Sequence, residues 1–188
     1  DRIVVVVSAM GDTTDDLVNL AKEVTSMPYG REMDRLLSTG EQVTIALMAL
    51  AFQAKGHAAV SMTGEQAGIA TSDAFGKARI LEIEPKRVLE ALEAGNIVVV
   101  AGFQGMTEAG DITTLGRGGS DTTAVALAGA MQADVCEIFT DVDGVYSTDP
   151  RVAPGAVKLK EITYGEMLEM ARLGLSLIHI SEPTRPRL

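Results

Sequence analysis

The chain has 188 residues, 46% of them hydrophobic, and a formal net charge of −10. That length points to one domain, able to bury roughly 70% of its unfolded surface without a disulfide or metal. The acidic balance excludes a non-specific nucleic-acid binder, which needs a basic patch to displace counterions. The single Cys136 excludes an internal disulfide framework and a Cys/His zinc spacing, and fits a reducing compartment.

Apolar β-branched runs alternate with helical patterns along the chain. Ile3 to Val7 reads as a buried strand, too short to span a bilayer. With no secretory signal visible, a cytoplasmic protein is expected, with no membrane partner. Thr13 or Thr14 can cap a helix to Val24, with Leu17, Leu20, Ala21 and Val24 on one face. Residues 31 to 55 are helix-rich, with Gly40 as an interruption. The second part, 42 to 54, is apolar nearly all round and reads as a central packed helix. Ala58 to Met62 and Ile80 to Ile83 read as strands. Pro85 opens a helix to Ala94, ended by Gly95-Asn96. Ile97 to Ala101 is a buried strand, and glycines at 102, 105 and 110 mark turns around a hairpin. Ser120 to Met131 is a helix, Val135 to Thr140 a strand, and Thr163 to Leu173 a last helix. Strands separated by helices imply βαβ units and a mostly parallel sheet covered on both faces. Ligands in such sheets sit beyond the carboxyl ends of the strands. The turns after Val7, Ala101 and Thr140 are therefore expected to converge on one edge.

The period ends near Gly174. The segment "LSLIHISEPTRPRL" does not continue it, and Leu175 to Arg185 resembles a translated transposase-type sequencing adapter. The expected organisation is a partial domain over 1–174 and a non-native scar over 175–188.

Chemistry concentrates at the glycine-rich junctions. In "TTLGRGGSDTTAVALA", residues 113 to 128, Gly116, Gly118 and Gly119 let backbone N–H groups turn inward. The helix that follows adds free N–H groups and the positive end of its dipole. Arg117 offers a planar fork to a carboxylate or phosphate. Asp121 can orient a lysine, a substrate ammonium or a metal-bound water. The plain alternative is a strand-to-helix turn with Ser120 as N-cap. The loop is neither a Walker A sequence nor GxGxxG. "SAMGDTTDDL", residues 8 to 17, is a second junction where Thr13 and Thr14 can hold an anion or simply cap. "REMDRLLSTGEQ", residues 31 to 42, places Glu41 where it can bind a substrate ammonium or stand as an exposed helical glutamate. "TDVDGVYSTDPR", residues 140 to 151, fails the calcium-loop pattern, with Phe139 and Pro150 at ligand positions. It is either a nucleotide-pocket lining or a solvated hairpin. No Ser/His/Asp or Cys/His set can be assembled, so the sequence argues against triad chemistry.

Together with "TGEQAGI" and "VAGFQGMT", these stretches resemble, in order and spacing, the catalytic domain of aspartokinases within the amino acid kinase family. The resemblance runs from about Ile3 to Gly174. It implies an α/β fold, a three-layer αβα sandwich around a mainly parallel central sheet. The implied reaction is transfer of the ATP γ-phosphoryl group to the side-chain carboxylate of L-aspartate, in the biosynthesis of lysine, threonine and methionine. Arg117 would grip an aspartate carboxylate and Glu41 its ammonium. Thr14, Phe103 and Ser120 would line the aspartate pocket, and Asp121 would organise the phosphoryl end. Thr140, Asp141, Tyr146 and Arg151 would line the ATP site, with Mg2+ carried on the ATP phosphates and no protein metal cage. Same-fold kinases of acetylglutamate, glutamate or UMP are the alternative, as is a non-catalytic amino-acid-binding protein. Family members begin with a strand ending in Lys-Phe-Gly-Gly and continue into regulatory ACT modules that usually build homo- or hetero-oligomers. Neither has a counterpart in these residues. The fold is therefore expected to be incomplete and the 188-residue chain weak or inactive by itself, its parent an active enzyme.

Overall fold

The computed structural model describes residues 2–139, 144–147, 153, 155–163 and 165–166. The chain divides into two compact units, Asp1–Glu137 and Ile138–Leu188.

The first unit is organised by a parallel three-stranded sheet in the order β1-β5-β2, comprising β1 Val4–Val7, β2 Ala59–Met62 and β5 Ile97–Ala101. In register, Val7 lies beside Ala101 and Met62 beside Val100. The central strand is apolar on both faces because both faces are covered, and Val98 to Ala101 expose no surface at all. Strand alternation divides them between two cores. Val98 and Val100 pack with Val88 and Leu92 of α3 (Lys86–Glu93) and Leu127 of α4 (Gly119–Ala130). Val99 and Ala101 pack with Ile45 and Ala49 of α2 (Arg31–Ala54). Helices on both faces of a parallel sheet are the expected α/β layering. The remaining helix, α1 (Thr13–Val24), lies along α2.

A second sheet, order β4-β3-β6-β7, joins β3 (Ile69–Thr71), β4 (Ile80–Ile83), β6 (Gln104–Met106) and β7 (Ile112–Thr114). The β6–β7 pair is the hairpin expected around the glycines after Ala101, and β7 delivers the chain into the glycine loop. Strand β3, three residues long with a bulge at Ala70/Thr71, is too short to leave a period in the sequence.

Several expectations are corrected. Gly40 does not interrupt a helix, because α2 runs unbroken from Arg31 to Ala54. A glycine is needed there for proximity: a Cβ at position 40 would lie 2.9 Å from the Ala9 Cβ. The apolar 42–54 stretch is not packed all round, since Val43, Leu47 and Leu50 face outward. One side of α2 covers the sheet, α1 packs beside Gly40, and the side carrying Val43, Leu47 and Leu50 is exposed. Leu20 and Val24 of α1 are likewise exposed. The N-terminal position of α1 is occupied by Asp12 without a side-chain cap bond, while the Thr13 hydroxyl donates to the Met10 carbonyl. Residues 135–139 form no strand, because they find no ladder partner among the described residues, and Val135 and Phe139 are exposed.

In the second unit Tyr146 and Lys158 form an antiparallel bridge, flanked by Ser147 N–H to Val157 O and Leu159 N–H to Val145 O bonds. The predicted helix from Thr163 begins as a capping box. The Thr163 N–H and hydroxyl donate to Glu166 Oε2, and the Glu166 N–H donates back to Thr163 Oγ1. Its continuation, the boundary at Gly174 and the tail 175–188 lie outside the described residues.

The Gly40 contact sets alanine's helix preference, about 1 kcal/mol, against overpacking that costs about 1–3 kcal/mol. Gly40→Ala is expected to lower stability by about 1 kcal/mol net, read as a lower urea midpoint at unchanged m. Adding Ala9→Gly should recover most of the loss. A Gly40→Ala protein more stable than wild type would mean the close approach is not there.

Candidate functional site

Because β1 and β5 are parallel neighbours in register, the turns after Val7 and Ala101 emerge side by side, as the sequence led one to expect. The Gly102 N–H donates to the Val7 carbonyl at 3.0 Å, tying the two strand ends together. The third expected turn, after Thr140, lies outside the described residues.

The glycine loop is drawn onto this edge by two close contacts. A Cβ on Gly102 would stand 2.8 Å from both the Cβ and the Oγ of Ser120. A Cβ on Gly119 would stand 2.8 Å from Cδ2 of Phe103. The two dipeptides Gly102-Phe103 and Gly119-Ser120 therefore interlock, glycine against side chain in both directions. Phe103 is held at a φ of 66°, a left-handed conformation that is a genuine outlier for a bulky residue. Its N–H donates to Thr123 Oγ1 at 3.2 Å and its carbonyl accepts from the Leu115 N–H at 2.9 Å. Such strain costs on the order of 1–3 kcal/mol and persists where the surroundings over-determine it. Sequence reasoning found Phe103 but not Thr123, a fully buried threonine inside α4 that reads as ordinary core.

The helix start differs in detail from the sequence reading. Gly118, in the left-handed conformation, occupies the N-terminal position and α4 begins at Gly119, so Ser120 is not the N-cap. The Gly119 N–H is spent on the Gly116 carbonyl and the Thr122 N–H on the Gly118 carbonyl. Between them the N–H groups of Ser120 and Asp121 have no described acceptor. These two N–H groups lie at the positive end of a helix, an environment that favours an anion, and the exposed Arg117 beside them pairs with no described residue. Asp121 stands in the same turn, with Thr122, Val125 and Ala126 in an open depression along α4. Its carboxyl is raised from the ordinary aspartate value by burial.

Glu41 reaches the edge from the opposite layer. It is 3% exposed, not the solvated helical glutamate that is the commoner case. The Ala9 N–H, just past β1, donates to Oε1 at 3.0 Å, while Oε2 is buried without a hydrogen-bond partner. Burial raises the carboxyl pKa to about 7, against the lowering effect of hydrogen bonds from its own backbone and that of Ala9. A buried carboxylate oxygen with no donor is expensive unless a cation meets it. The close approach of Gly40 to Ala9, with Thr13 and Leu17 beside it, is what brings Glu41 and the first turn of α1 together. Thr14 lies in that first turn, partly exposed.

Of the residues singled out in the sequence, the first unit therefore gathers Glu41, Phe103, Ser120 and Asp121 around the β1–β5 edge. Arg117 is on the loop above it and Thr14 on the adjoining helix. Tyr146 belongs to the second unit. Thr140, Asp141 and Arg151 lie outside the described residues. Among the described residues no group of three or more His, Cys, Asp or Glu side chains could hold a metal ion, and no helix is long and apolar enough to cross a membrane.

A doubly covered parallel sheet with a glycine-rich helix start at its strand ends is the α/β architecture in which ligands bind beyond the carboxyl ends of the strands. The profile of the amino acid kinase family matches residues 1–181, and the chain belongs to that family. Within it the chain is similar to the aspartokinase of Geobacillus stearothermophilus, 62% identical over 177 residues, covering 94% of this chain and 44% of the relative. It is also similar to the crystal structure of aspartate kinase from Synechocystis, at 52% identity and a TM-score of 0.77, covering 95% of this chain and 29% of that one. Aspartokinase III of E. coli, solved in complex with aspartate and ADP, superposes at 34% identity and a TM-score of 0.74 over 88% of this chain and 38% of its own. The chain thus spans less than half the length of the curated relatives it matches.

Glu41 gives the ligand-free protein a distinctive pH response. The folded carboxyl holds its proton up to about pH 7, whereas the unfolded one titrates near 4.5. Between those values the native state binds more protons, so stability falls as pH rises, by up to about 3 kcal/mol. Glu41→Gln is expected to flatten this slope and to be the more stable form at pH 8. Urea midpoints of both proteins at pH 5 and pH 8 check it. A Gln variant that keeps the wild-type slope would place the titration elsewhere.

Proposed function

We propose that the full-length protein is an aspartate kinase, transferring the γ-phosphoryl group of ATP to the side-chain carboxylate of L-aspartate. The observation that carries this reading is the buried, half-satisfied carboxylate of Glu41 at the strand edge that also holds the anion-facing loop. An amino-acid ligand supplies both missing partners, an ammonium for Glu41 Oε2 and carboxylates for Arg117 and the free N–H groups of Ser120 and Asp121. Support also comes from the names of the relatives and from the aspartate and ADP in the E. coli neighbour.

The nucleophile is an oxygen of the substrate carboxylate, already ionised at neutral pH, so no general base is required. That oxygen bonds to the γ-phosphorus as the bond to the β-phosphate bridging oxygen breaks, giving an acyl phosphate and ADP. Catalysis is then positioning and charge stabilisation. Arg117 and the helix-start N–H groups fix the substrate carboxylates, Phe103, Ser120 and Thr14 shape the pocket, and Glu41 anchors the ammonium end. Asp121 orients groups at the phosphoryl end. Thr140, Asp141, Tyr146 and Arg151 are assigned to the ATP, whose phosphates carry Mg2+ that offsets their charge. We place the enzyme in the cytoplasm, assembled as an oligomer through regulatory ACT modules outside these residues.

The same geometry ranks the acceptors. Acetylglutamate has its amine acylated and UMP has none, so neither can answer Glu41. Glutamate can, but is one methylene longer. In the full-length protein, ADP release is expected to be at least tenfold faster with aspartate than with glutamate, and absent with acetylglutamate or UMP. Faster turnover of either of the last two would overturn the assignment. Arg117→Ala is expected to lower kcat/KM for aspartate by about 10²–10³-fold, the range typical of a lost charge-stabilising donor. Aspartate binding should strengthen as pH rises through about 7, with proton release on binding, because the ammonium favours ionised Glu41. Calorimetry in buffers of different ionisation enthalpy reads that release, and Glu41→Gln should abolish it.

A further inference from the structure

One more carboxylate is buried in the first unit, and none of the roles above uses it. Asp34, in the first turn of α2, is 1% exposed. Its Oδ2 accepts the Gly76 N–H at 2.9 Å and the Thr114 N–H at 2.7 Å. Its Oδ1 accepts the Thr114 hydroxyl at 3.1 Å. These bonds join three separate segments: α2, the 72–78 loop and the last residue of β7. The Thr114 carbonyl is taken by the Ala78 N–H at 2.9 Å, so both backbone polar groups of Thr114 are held. Two residues on, Gly116 lies against the same loop, where a Cβ would stand 3.2 Å from the Gly76 carbonyl oxygen. Arg117 is the next residue.

The fold has little use for so polar a core at this point. Burying a carboxylate among apolar layers costs several kcal/mol unless donors meet it, and here three do. What the arrangement fixes is the root of the glycine loop. From Thr114 the chain has only Leu115, pinned to the Phe103 carbonyl, before the Gly116-Arg117-Gly118-Gly119 turn. A glycine-rich loop has few side chains to locate it, so its aim depends on its two roots, the Gly119-Ser120 interlock with Gly102-Phe103 at one end and Thr114 at the other.

We infer that Asp34 is a positioning residue for the glycine loop: by clamping Thr114 and Gly76 it sets where Arg117 and the N–H groups at the start of α4 meet the acceptor carboxylates. The inference rests on the proposed function for the substrate that feels the change, but the clamp itself can be read without any substrate.

Three variants of the full-length enzyme separate clamp from scaffold. In Asp34→Asn the amide oxygen can replace Oδ2 and accept both N–H groups, while its NH2 donates to Thr114 Oγ1, so the geometry survives without the charge. Asp34→Ala removes all three bonds. Thr114→Val removes one with little change of shape. Amide hydrogen exchange over residues 114–119, without ligand, is expected to quicken at least tenfold in Asp34→Ala and to stay near wild type in Asp34→Asn. The aspartate KM should rise about 10–100-fold in Asp34→Ala, as misplacement by about an ångström does. The ATP KM should stay within about threefold, and Asp34→Asn should restore both. Should Asp34→Ala fail to fold, Thr114→Val is expected to raise the aspartate KM about threefold to tenfold with faster exchange at 114–119. Unchanged exchange in the variant that is folded, equal losses in Asp34→Ala and Asp34→Asn, or aspartate and ATP KM rising together with falling Tm, would overturn the inference. A wild-type enzyme inactive on aspartate would sink the proposed function alone, and the exchange comparison would still decide the clamp.

Discussion

The last rung of the β1–β5 ladder, where the Gly102 N–H meets the Val7 carbonyl, is the constraint on which the rest of the site depends. Parallel register places the two strand ends side by side, and everything polar is then suspended from them. Ala9, two residues beyond β1, holds Glu41. Gly102 and Phe103, directly beyond β5, hold Ser120 and Gly119. The strand ends can serve as a fixed edge because β5 is buried on both faces, with Val98 to Ala101 fully enclosed between two helical layers. Shifting the pairing by one residue would exchange Val98 and Val100 with Val99 and Ala101, unpacking both cores at once. The precision of the site is therefore borrowed from hydrophobic packing that makes no contact with a ligand.

That scaffold carries two local costs. Phe103 sits at a positive φ, and Glu41 keeps a carboxylate oxygen buried without a donor. Both lie at the edge, and both are tolerable because they are small beside the packing around them. They also differ in kind. The Phe103 strain is held permanently by Thr123 and Leu115, which makes it part of the architecture. The Glu41 penalty is relieved by a proton below about pH 7 and, in the proposed reading, by the substrate ammonium above it. Asp34 is the contrasting case: an equally buried carboxylate, in the same helix, with three donors and nothing left to offer a ligand.

The parts of this design that were legible in the sequence are those that depend on local composition. Ile97 to Ala101 announced a buried strand by its run of β-branched residues, and "GRGGSD" announced a strand-to-helix turn by its glycines. Long-range proximity was not legible. Gly40 looks like a helix break because propensity is a local property, whereas its reason for being glycine is Ala9, far away in the chain and 2.9 Å from where its Cβ would be. Glu41 and Asp34 look alike as helical acids until the partners at Ala9, Gly76 and Thr114 are known. Strand β3 is too short to show alternation, and 135–139 looks like a strand because β-propensity does not say whether a ladder partner is present. The same holds for the outward side of α2: Val43, Leu47 and Leu50 are apolar whether or not anything packs on them.

The acidic character of the chain gives the site its central electrostatic problem. Both proposed substrates are anions, and the proposed reaction would press a carboxylate against a phosphate at a site whose 188 residues carry a net charge of −10. Among the described residues proposed to meet the acceptor, one full positive charge stands, the Arg117 guanidinium, and the uncharged N–H dipoles at the start of α4 lie beside it. Dipoles fixed by the backbone need no counter-anion and undergo little reorganisation as charge moves, so they serve a charge that develops at one place better than flexible lysines would. In the proposed reading Glu41 acts from the far end of the substrate. The attraction between its buried carboxylate and an ammonium is the same before and after the phosphoryl group moves, so by itself it cannot accelerate the chemical step. It can supply the energy to hold the reacting carboxylate where repulsion would otherwise keep it away, which is how binding at a remote group becomes rate at the reacting one. An amino acid suits such a site because it carries, on one small frame, the cation that anchors and the anion that reacts.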